Sequence, residues 1–320
     1  MHTILKTIMG AGLAVALGVS SVAAQDLELN IMAPAGAGGG WDSAARAIQE
    51  AMTATGQATS AQVYNVTGAG GTVGLAQFAS SAGSDPSQLM VGGITMVGAI
   101  ISNQAPVNLT QVTPIARLTG DPLVVVVPAA SEIQTVDDLL AAIKADVGGT
   151  IWAGGSAGGA DHMLAALVTE AAGGDPALVN YVAYSGGGEA LAAMLGGQVS
   201  AGISGYGEWQ AQIEAGELRA LAISYPEPIE GIEAQPLKDL GVDVELVNWR
   251  GVFAGADISE EDKSRLSAAF EAMVASDEWK EILSARGWTD YYLPADEFAS
   301  FLTSETERVT GVLQALGLAE

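Results

Sequence analysis

Short apolar runs alternate along the chain with longer segments in which apolar positions recur every three or four residues. Short runs bounded by glycine are typical of buried strands, and the longer segments are typical of helices that pack one face on a sheet. This alternation predicts an α/β fold. The predicted strands are residues 27–32, 62–66, 88–91, 115–118, 123–127, 150–153, 181–184, 199–204, 218–224 and 246–254. The main predicted helices are residues 42–55, 75–82, 161–172 and 208–215. Further helices are predicted with Thr135 and Ser259 as N-caps, from Gly188 to Leu195, around Trp279 and ending at Gly287, and from Pro294. The aromatic residues of the C-terminal helices are expected to lie in the core.

The length of the chain and two breaks in this pattern predict two domains. A chain of 320 residues is longer than a single small core requires. Gly120-Asp121-Pro122 separates two predicted strands and is the expected first crossing between domains. The proline-rich stretch from Tyr225 to Pro236 has the composition of a return linker. The sequence shows no internal repeat.

The N-terminus has the pattern of an export signal. Lys6 precedes a short apolar core from Ile8 to Val19, and the small residues Val22-Ala23-Ala24 follow. We therefore expect cleavage near Ala24 and a periplasmic mature protein, with a retained membrane anchor as the alternative. No later run reaches the length of a membrane-spanning helix.

Charge and composition exclude several classes of function. The chain has 37 acidic and 12 basic residues and a formal charge of −25, which becomes −26 when the signal and its Lys6 are removed. Such a field repels nucleic acid and anionic membrane surfaces. There is no cysteine, the mature chain has one histidine (His162), and the carboxylates are dispersed. The sequence therefore predicts no metal site and no cofactor.

Four glycine-rich loops follow predicted strands, at residues 34–42, 67–74, 154–159 and 184–188. Glycine lets backbone N–H groups approach a ligand closely, and a helix N-terminus favours negative charge because its first N–H groups have no partner in the helix. In open α/β folds, ligands bind at the carboxyl ends of strands. A single loop of this kind can be an ordinary connection, but four together predict reversible capture of a carboxylate.

Two catalytic or cofactor patterns compete with this interpretation. Gly154-Gly155-Ser156-Ala157-Gly158 matches the nucleophile pattern of serine hydrolases, with His162 as the one available base. The two residues are too close in sequence for the usual geometry, so an exported hydrolase is the weaker alternative. Residues 68–74 have the glycines of a dinucleotide loop, but no ribose-binding acid follows about twenty residues on.

Five stretches resemble the periplasmic solute-binding proteins of tripartite tricarboxylate transporters. They are Ala33-Pro34 with Gly38-Gly39-Gly40-Trp41-Asp42, Asn65 to Gly74, Gly155 to His162, Tyr184 to Ala190 with Gly196 to Val199, and Asn248 to Ala254. These stretches span nearly the whole mature chain in the order of the family. The Gly-Gly-Gly-Trp-Asp form resembles the branch that binds tricarboxylates, although Ala37 and Thr67 stand where proline is frequent.

The resemblance implies a type II periplasmic binding protein with two α/β domains around a central cleft, the Venus-flytrap fold. We expect a signal peptide at residues 1–24, one discontinuous domain at 25–121 plus 237–320, and a second domain at 122–236. The implied partners are a small di- or tricarboxylate and the membrane subunits of the transporter, and the implied state is a monomer. A sensor for a two-component system is the alternative output.

The same resemblance implies which residues contact the ligand. Asp42 is ambiguous, since an acid at the start of a helix can cap that helix instead of contacting a ligand. The expected ligand-binding residues are Gly38, Gly39, Gly40, Trp41, Asp42, Gly70, Ser156, Ala157, Gly158, Gly159, Ala160 and His162, with Tyr184 and Ser204 on the cleft wall.

Overall fold

The computed structural model of the chain describes residues 27–184 and 186–320, so the predicted signal peptide lies outside the described residues. The strands are β1 (Glu28–Ala33), β2 (Ser60–Asn65), β3 (Gln88–Gly93), β4 (Val112–Pro128), β5 (Ile151–Gly154), β6 (Asn180–Ala183), β7 (Ala201–Gly205), β8 (Leu218–Ser224), β9 (Val247–Gly255) and β10 (Thr289–Pro294). The helices are α1 (Gly40–Ala54), α2 (Thr72–Ser81), α3 (Ile94–Ser102), α4 (Val136–Ala145), α5 (Ala160–Ala171), α6 (Gly187–Leu195), α7 (Tyr206–Glu214), α8 (Glu260–Val274), α9 (Asp277–Arg286) and α10 (Ala295–Ala315). The predicted α/β class is confirmed.

The strands form one curled sheet with two parts, which we call the first and second sheets. The first sheet has the order β2-β1-β3-β9-β4-β10, in which β1 runs parallel to β2 and β3 while β9 is antiparallel to β3 and β4. The second sheet has the order β8-β4-β7-β5-β6, in which β5 runs parallel to β6 and β7. Strand β4 belongs to both sheets.

The break that was expected at Gly120-Asp121-Pro122 does not interrupt the strand. Residues 112–128 form a single strand, and the prediction of two strands at 115–118 and 123–127 is wrong. The first half of β4 pairs with β9 as far as Pro122, and from Leu123 onward it pairs with β7 and β8. Pro122 has no N–H to donate, and it lies where the strand exchanges one set of partners for the other. The turn-like sequence therefore marks a change of sheet.

Two further elements were not predicted from the sequence, namely α3 and β10. Helix α3 is almost entirely apolar and largely buried, so its sequence lacks the polar face by which helices are recognised. Strand β10 has an irregular exposure pattern and a register shift in its pairing with β4. Each therefore lacks the periodicity on which prediction depends.

Several local predictions are confirmed. Thr135 caps α4 by accepting a hydrogen bond from the Asp138 N–H at 3.1 Å, and Ser259 caps α8 in the same way at 3.0 Å. Phe298 of α10 is fully buried and packs edge-on against Trp249 of β9, with ring centroids 5.7 Å apart. The C-terminal aromatic residues thus belong to the core of the first sheet. No helix among the described residues combines the length and apolarity needed to span a bilayer.

The segment that leads into β9 is fastened to the end of β8 by one buried hydroxyl. Ser224 Oγ accepts a hydrogen bond from the Leu246 N–H at 2.8 Å and donates one to the Leu246 carbonyl at 2.7 Å. Ser224 is completely buried. Both backbone groups of Leu246 therefore depend on this side chain for their hydrogen bonds.

We expect Ser224→Ala to lower the free energy of unfolding by about 1–3 kcal/mol, because it leaves a buried N–H and a buried carbonyl without partners. Urea denaturation followed by circular dichroism measures the effect. Ser80→Ala, which removes an exposed hydroxyl on α2, is the matched control and should change stability by less than about 0.5 kcal/mol. Equal effects of the two substitutions would contradict this role for Ser224.

Candidate functional site

A cleft of about 600 Å³ is lined by loops from both sheets. Backbone groups and glycines dominate its wall, and four ionisable side chains contribute to it. The lining residues are 34–41, 67–71, 95, 155, 156, 159–161, 186–189, 204, 205, 208, 248 and 250.

The first loop connects β1 to α1 and is folded around the Asp42 carboxylate. The Gly38 N–H donates to Asp42 Oδ2 at 2.9 Å, and the Gly39 N–H donates to the Gly36 carbonyl at 3.2 Å. Gly38 has a φ of +83°, in the left-handed region that favours glycine. No side chain caps the N-terminus of α1. Its first N–H groups are therefore available to a ligand in the cleft.

Asp42 stabilises this loop and does not line the cleft. Its side chain is buried and accepts hydrogen bonds from Arg46 Nε at 2.9 Å, Arg46 Nη2 at 3.0 Å and Asn65 Nδ2 at 2.9 Å, besides that from Gly38. Burial acts to raise the pKa of the Asp42 carboxyl, but the hydrogen bonds and the charge of Arg46 outweigh it and hold the pKa below its usual value. All of these contacts of Asp42 are with residues of its own loop, helix α1 and strand β2.

The third loop, between β5 and α5, repeats the geometry of the first. The Gly159 N–H donates to the Ser156 carbonyl at 2.9 Å, and Gly158 has a φ of +71°. The Gly158 N–H donates to His162 Nδ1 at 3.1 Å, as the Gly38 N–H donates to Asp42. The N-cap residue of α5, Gly159, supplies no side-chain cap. The cleft is therefore lined by two helix N-termini of the same local form, a structural repeat that the sequence conceals.

His162 stabilises the third loop from behind. Because its Nδ1 accepts a hydrogen bond, the neutral ring carries its proton on Nε2. Burial lowers the pKa of His162 to about 4. The ring stacks on Tyr181 with centroids 4.2 Å apart, and the Tyr181 hydroxyl donates to the Gly155 carbonyl at 2.9 Å. His162 does not line the cleft, so it is not placed as a base for Ser156.

Helix α3 brings the second and third loops together. A Cβ on Gly70 would lie 2.5 Å from the Ala99 side chain, and a Cβ on Gly98 would overlap the Gly158 carbonyl. Thr95 Oγ1 accepts a hydrogen bond from the Ala160 N–H at 3.4 Å. These contacts join loops that follow strands of different sheets. They depend on the small residues of an unpredicted helix.

A buried ion pair lies at the base of the cleft. Arg250 Nη2 is 2.6 Å from Asp121 Oδ2, and both side chains are at least nine-tenths buried. Among the described residues, Arg250 Nη1 and Asp121 Oδ1 have no hydrogen-bond partner. Burial raises the pKa of Asp121, while the charge and hydrogen bond of Arg250 oppose that rise.

Two further carboxylates line the cleft near this pair. Asp161 accepts a hydrogen bond from the Gly155 N–H at 2.7 Å, and Glu208 accepts one from Ser204 Oγ at 3.2 Å. Desolvation raises the pKa of Asp161 to about 7, with the charges of Glu208 and Asp121 adding to the effect. Desolvation and the charge of Asp121 also raise the pKa of Glu208. Across the described residues, no group of three histidine or acidic side chains could hold a metal ion.

The residues expected to bind the ligand divide into two sets. Five do not line the cleft: Asp42, Ala157, Gly158 and His162 lie within or behind the loops, and Tyr184 packs against the core of the second sheet. The lining set consists of Gly38, Gly39, Gly40, Trp41, Gly70, Ser156, Gly159, Ala160 and Ser204.

None of Thr95, Asp161, Glu208 and Arg250 was among the expected ligand-binding residues, although Asp161 and Arg250 lie within stretches that resemble the family. Thr95 lies in the unpredicted α3, and the two acids resemble ordinary residues of a first helical turn. The position of Arg250 in the sequence does indicate a special role. It is a cation within an apolar strand, and such a residue is rarely buried without a partner or a ligand.

Comparison with known proteins places these features in a family. A family model described as the tripartite tricarboxylate transporter family receptor matches residues 44–318. Protein BugT of Bordetella pertussis is 27% identical over 316 residues, which cover 97% of this chain and 95% of the relative. All the structures that follow share less than 25% identity with the chain, so they establish similarity of fold.

Three solved structures illustrate that similarity. A TctC solute-binding protein from Polaromonas is 24% identical, with a TM-score of 0.72 and coverage of 91% of this chain and 99% of that one. MatC from Rhodopseudomonas palustris, solved with bound malate, is 22% identical, with a TM-score of 0.76 and coverage of 89% and 98%. A second R. palustris protein, solved with adipate, is 20% identical, with a TM-score of 0.80 and coverage of 91% and 98%. The fold is that of periplasmic binding proteins.

We expect Asp42→Asn to lower the free energy of unfolding by about 1.5–3 kcal/mol at neutral pH, because the first loop loses its charge-assisted hydrogen bonds. Since the folded pKa of Asp42 is below the unfolded value, its contribution is complete above about pH 4 and is lost as pH falls through the folded pKa. The difference between wild type and variant should therefore shrink only below about pH 4.

Urea denaturation from about pH 3 to pH 7 measures this difference. Asp239→Asn, at an exposed position, is the control and should show little difference at any pH. A stability difference for Asp42→Asn that does not change with pH would contradict the assignment.

Proposed function

Because the chain belongs to the tripartite tricarboxylate transporter receptor family, we propose that it captures a small di- or tricarboxylate outside the cytoplasm and delivers it to the membrane subunits of such a transporter. The mature protein is periplasmic, is released by cleavage near Ala24, and acts as a monomer. The family consists of receptors, and its solved relatives are solute-binding proteins and not enzymes.

One observation carries this proposal: two helix N-termini with glycine N-caps and the same local form line one cleft. Each is preceded by a glycine loop whose backbone is fixed by hydrogen bonds to a side chain at the start of the helix. Free N–H groups at a helix N-terminus bind carboxylates without a cationic side chain. A strongly acidic chain can therefore still hold an anion, provided that the donors are fixed in advance.

Two structurally similar proteins support the substrate class. They were solved with malate and with adipate, which are small dicarboxylates. A cleft of about 600 Å³ is large enough for molecules of this size. Citrate-like tricarboxylates fit the same proposal.

The division into domains is part of the proposal. We assign residues 25–121 plus 237–320 to one domain and 122–236 to the other. Support comes from β4, which changes partners at Pro122, and from the segment after β8, which returns the chain to β9 of the first sheet. Ligand binding favours the closed arrangement of the two domains only if the closed state makes contacts with the ligand that the open state lacks.

We expect at least one di- or tricarboxylate to raise the melting temperature in a screen of carboxylic acids. A ligand at a hundredfold over its Kd adds about 2.7 kcal/mol to the stability of the folded state. Isothermal titration calorimetry then gives the Kd and a stoichiometry of one. Absence of a shift with every di- and tricarboxylate would overturn the substrate class.

We expect Gly188→Leu to weaken ligand binding at least tenfold while preserving the fold. Gly188 lines the cleft in the first turn of α6, and a Cβ at this position has no atom within 4 Å. A leucine side chain can therefore enter the cleft without strain. Gly311→Leu, at an equally open position on α10, is the matched control and should leave the Kd unchanged. Wild-type affinity in Gly188→Leu would place the ligand elsewhere.

A further inference from the structure

Among the described residues that line the cleft, Trp41 is the only aromatic one. It is the second residue of α1, and its neighbours in the cleft wall are mostly glycines and small or polar residues. Trp41 is 9% exposed. Most of the indole is therefore packed away from solvent, and only a small part of it faces the cleft.

The indole lies against the glycine N-caps of two further helices. A Cβ on Gly71, the N-cap of α2, would lie 2.6 Å from Trp41 Cζ3 and 2.9 Å from Trp41 Cη2. A Cβ on Gly93, the N-cap of α3, would lie 3.2 Å from Trp41 Nε1. Neither glycine supplies a side-chain cap to its helix. Trp41 thus fills the space next to two helix N-termini.

The indole separates the cleft from the apolar interior of the first sheet. Met96 of α3 meets the indole at Gly71, since Met96 Cε would lie 3.1 Å from the same added Cβ. Met96 and Phe253 are both fully buried and approach Gly92 together. Gly71 lines the cleft, whereas Gly93 and Met96 do not. The cleft therefore ends at the ring of Trp41.

Trp41 is held in this position by the residue that follows it. Asp42 accepts hydrogen bonds from the Gly38 N–H, from Arg46 and from Asn65, and these fix the backbone at the start of α1. On its other side the ring packs directly on the backbone of Gly71. A longer ligand would therefore displace the indole only by disturbing the whole first loop.

We propose that Trp41 sets the maximum length of the ligand, because its indole closes the cleft at the N-termini of α2 and α3. This inference rests on the proposed function and adds a specificity-determining residue to it. Carboxylates that are bound at one end by backbone N–H groups differ in how far their other end extends. A single methylene too many in a closed pocket costs roughly tenfold or more in affinity. A fixed wall therefore discriminates by chain length.

The surroundings of the ring indicate what its removal would offer to a longer ligand. Met96 would supply an apolar surface for additional methylene groups. The start of α3 would supply backbone N–H groups for the distal carboxylate, because its N-cap glycine leaves them uncapped. Truncation of Trp41 should therefore improve the binding of long dicarboxylates relative to short ones.

Calorimetry with short and long carboxylates tests this inference. The short acids are succinate, malate and citrate, and the long acid is suberate, a straight-chain dicarboxylate. The measured quantity is the Kd of suberate divided by the Kd of the short acid that binds most tightly. For the wild type we expect this ratio to be at least about ten, because suberate meets the indole.

Two variants of Trp41 change the wall itself. Trp41→Ala removes the ring, and Trp41→Leu keeps a smaller apolar side chain, which covers the case that the alanine variant does not fold. We expect the ratio to fall at least tenfold, mainly through tighter binding of suberate. Circular dichroism of each variant establishes that it is folded.

Phe78→Leu is the matched control. Phe78 lies in α2, is buried in the same core cluster as Trp41 and does not line the cleft. Its truncation removes an aromatic ring from that core and lowers stability. We expect it to keep the wild-type ratio, because a loss of core packing alone does not change the length of the cleft.

Three outcomes would overturn the inference. One is a wild type that binds suberate as tightly as the best short acid. Another is a wild-type ratio in a folded variant of Trp41. The third is an equal fall of the ratio in Phe78→Leu. Absence of binding of every carboxylate to the wild type, short or long, would instead be the failure of the proposed function.

Discussion

The ion pair between Asp121 and Arg250 is the interaction on which the arrangement of the cleft depends. Asp121 lies in β4 next to the point where that strand passes from one sheet to the other, and Arg250 lies in the neighbouring β9. Burying two charges is costly unless they are paired, so their geometry is tightly constrained. A Cβ on Gly40 would lie 2.7 Å from Arg250 Nη2, and one on Gly205 would overlap the Asp121 carboxylate. The start of α1 and the end of β7 are thus fitted closely around the pair.

The two glycine loops show how one backbone conformation can be stabilised by different chemistry. In the first loop a carboxylate, Asp42, accepts the glycine N–H, and in the third loop an imidazole, His162, accepts it. Both groups are buried, and both lie at the same position relative to the start of their helix. Asp42 is ionised and paired with Arg46, whereas burial keeps His162 neutral, so neither loop brings an uncompensated buried charge. The glycines of both loops are visible in the sequence, but their common side-chain support is not, because the two acceptors are different residue types.

The fold class and the glycine loops could be predicted from the sequence because each depends on local signals. Apolar runs indicate strands, and glycine, threonine or serine at helix starts indicates loops and caps. The passage of β4 through Gly120-Asp121-Pro122 could not be predicted, because turn-forming residues are tolerated there only when the strand changes its partners. Helix α3 was not predicted because it is almost entirely apolar and largely buried, so it lacks the polar face that indicates a helix.

The same distinction applies to the site. The backbone donors of the cleft follow from the loop sequences, because any strand–glycine–helix connection exposes N–H groups at the helix start. The charged side chains of the cleft cannot be predicted from the loop sequences. Asp161 and Glu208 are separated by more than forty residues, and they line the same cleft because α5 and α7 both pack on β7. Backbone donors alone would make both sides of the cleft alike, since the loops are alike. The difference between the sides comes from side chains placed by tertiary structure, so recognition of a carboxylate is encoded locally while discrimination among carboxylates is encoded by the fold.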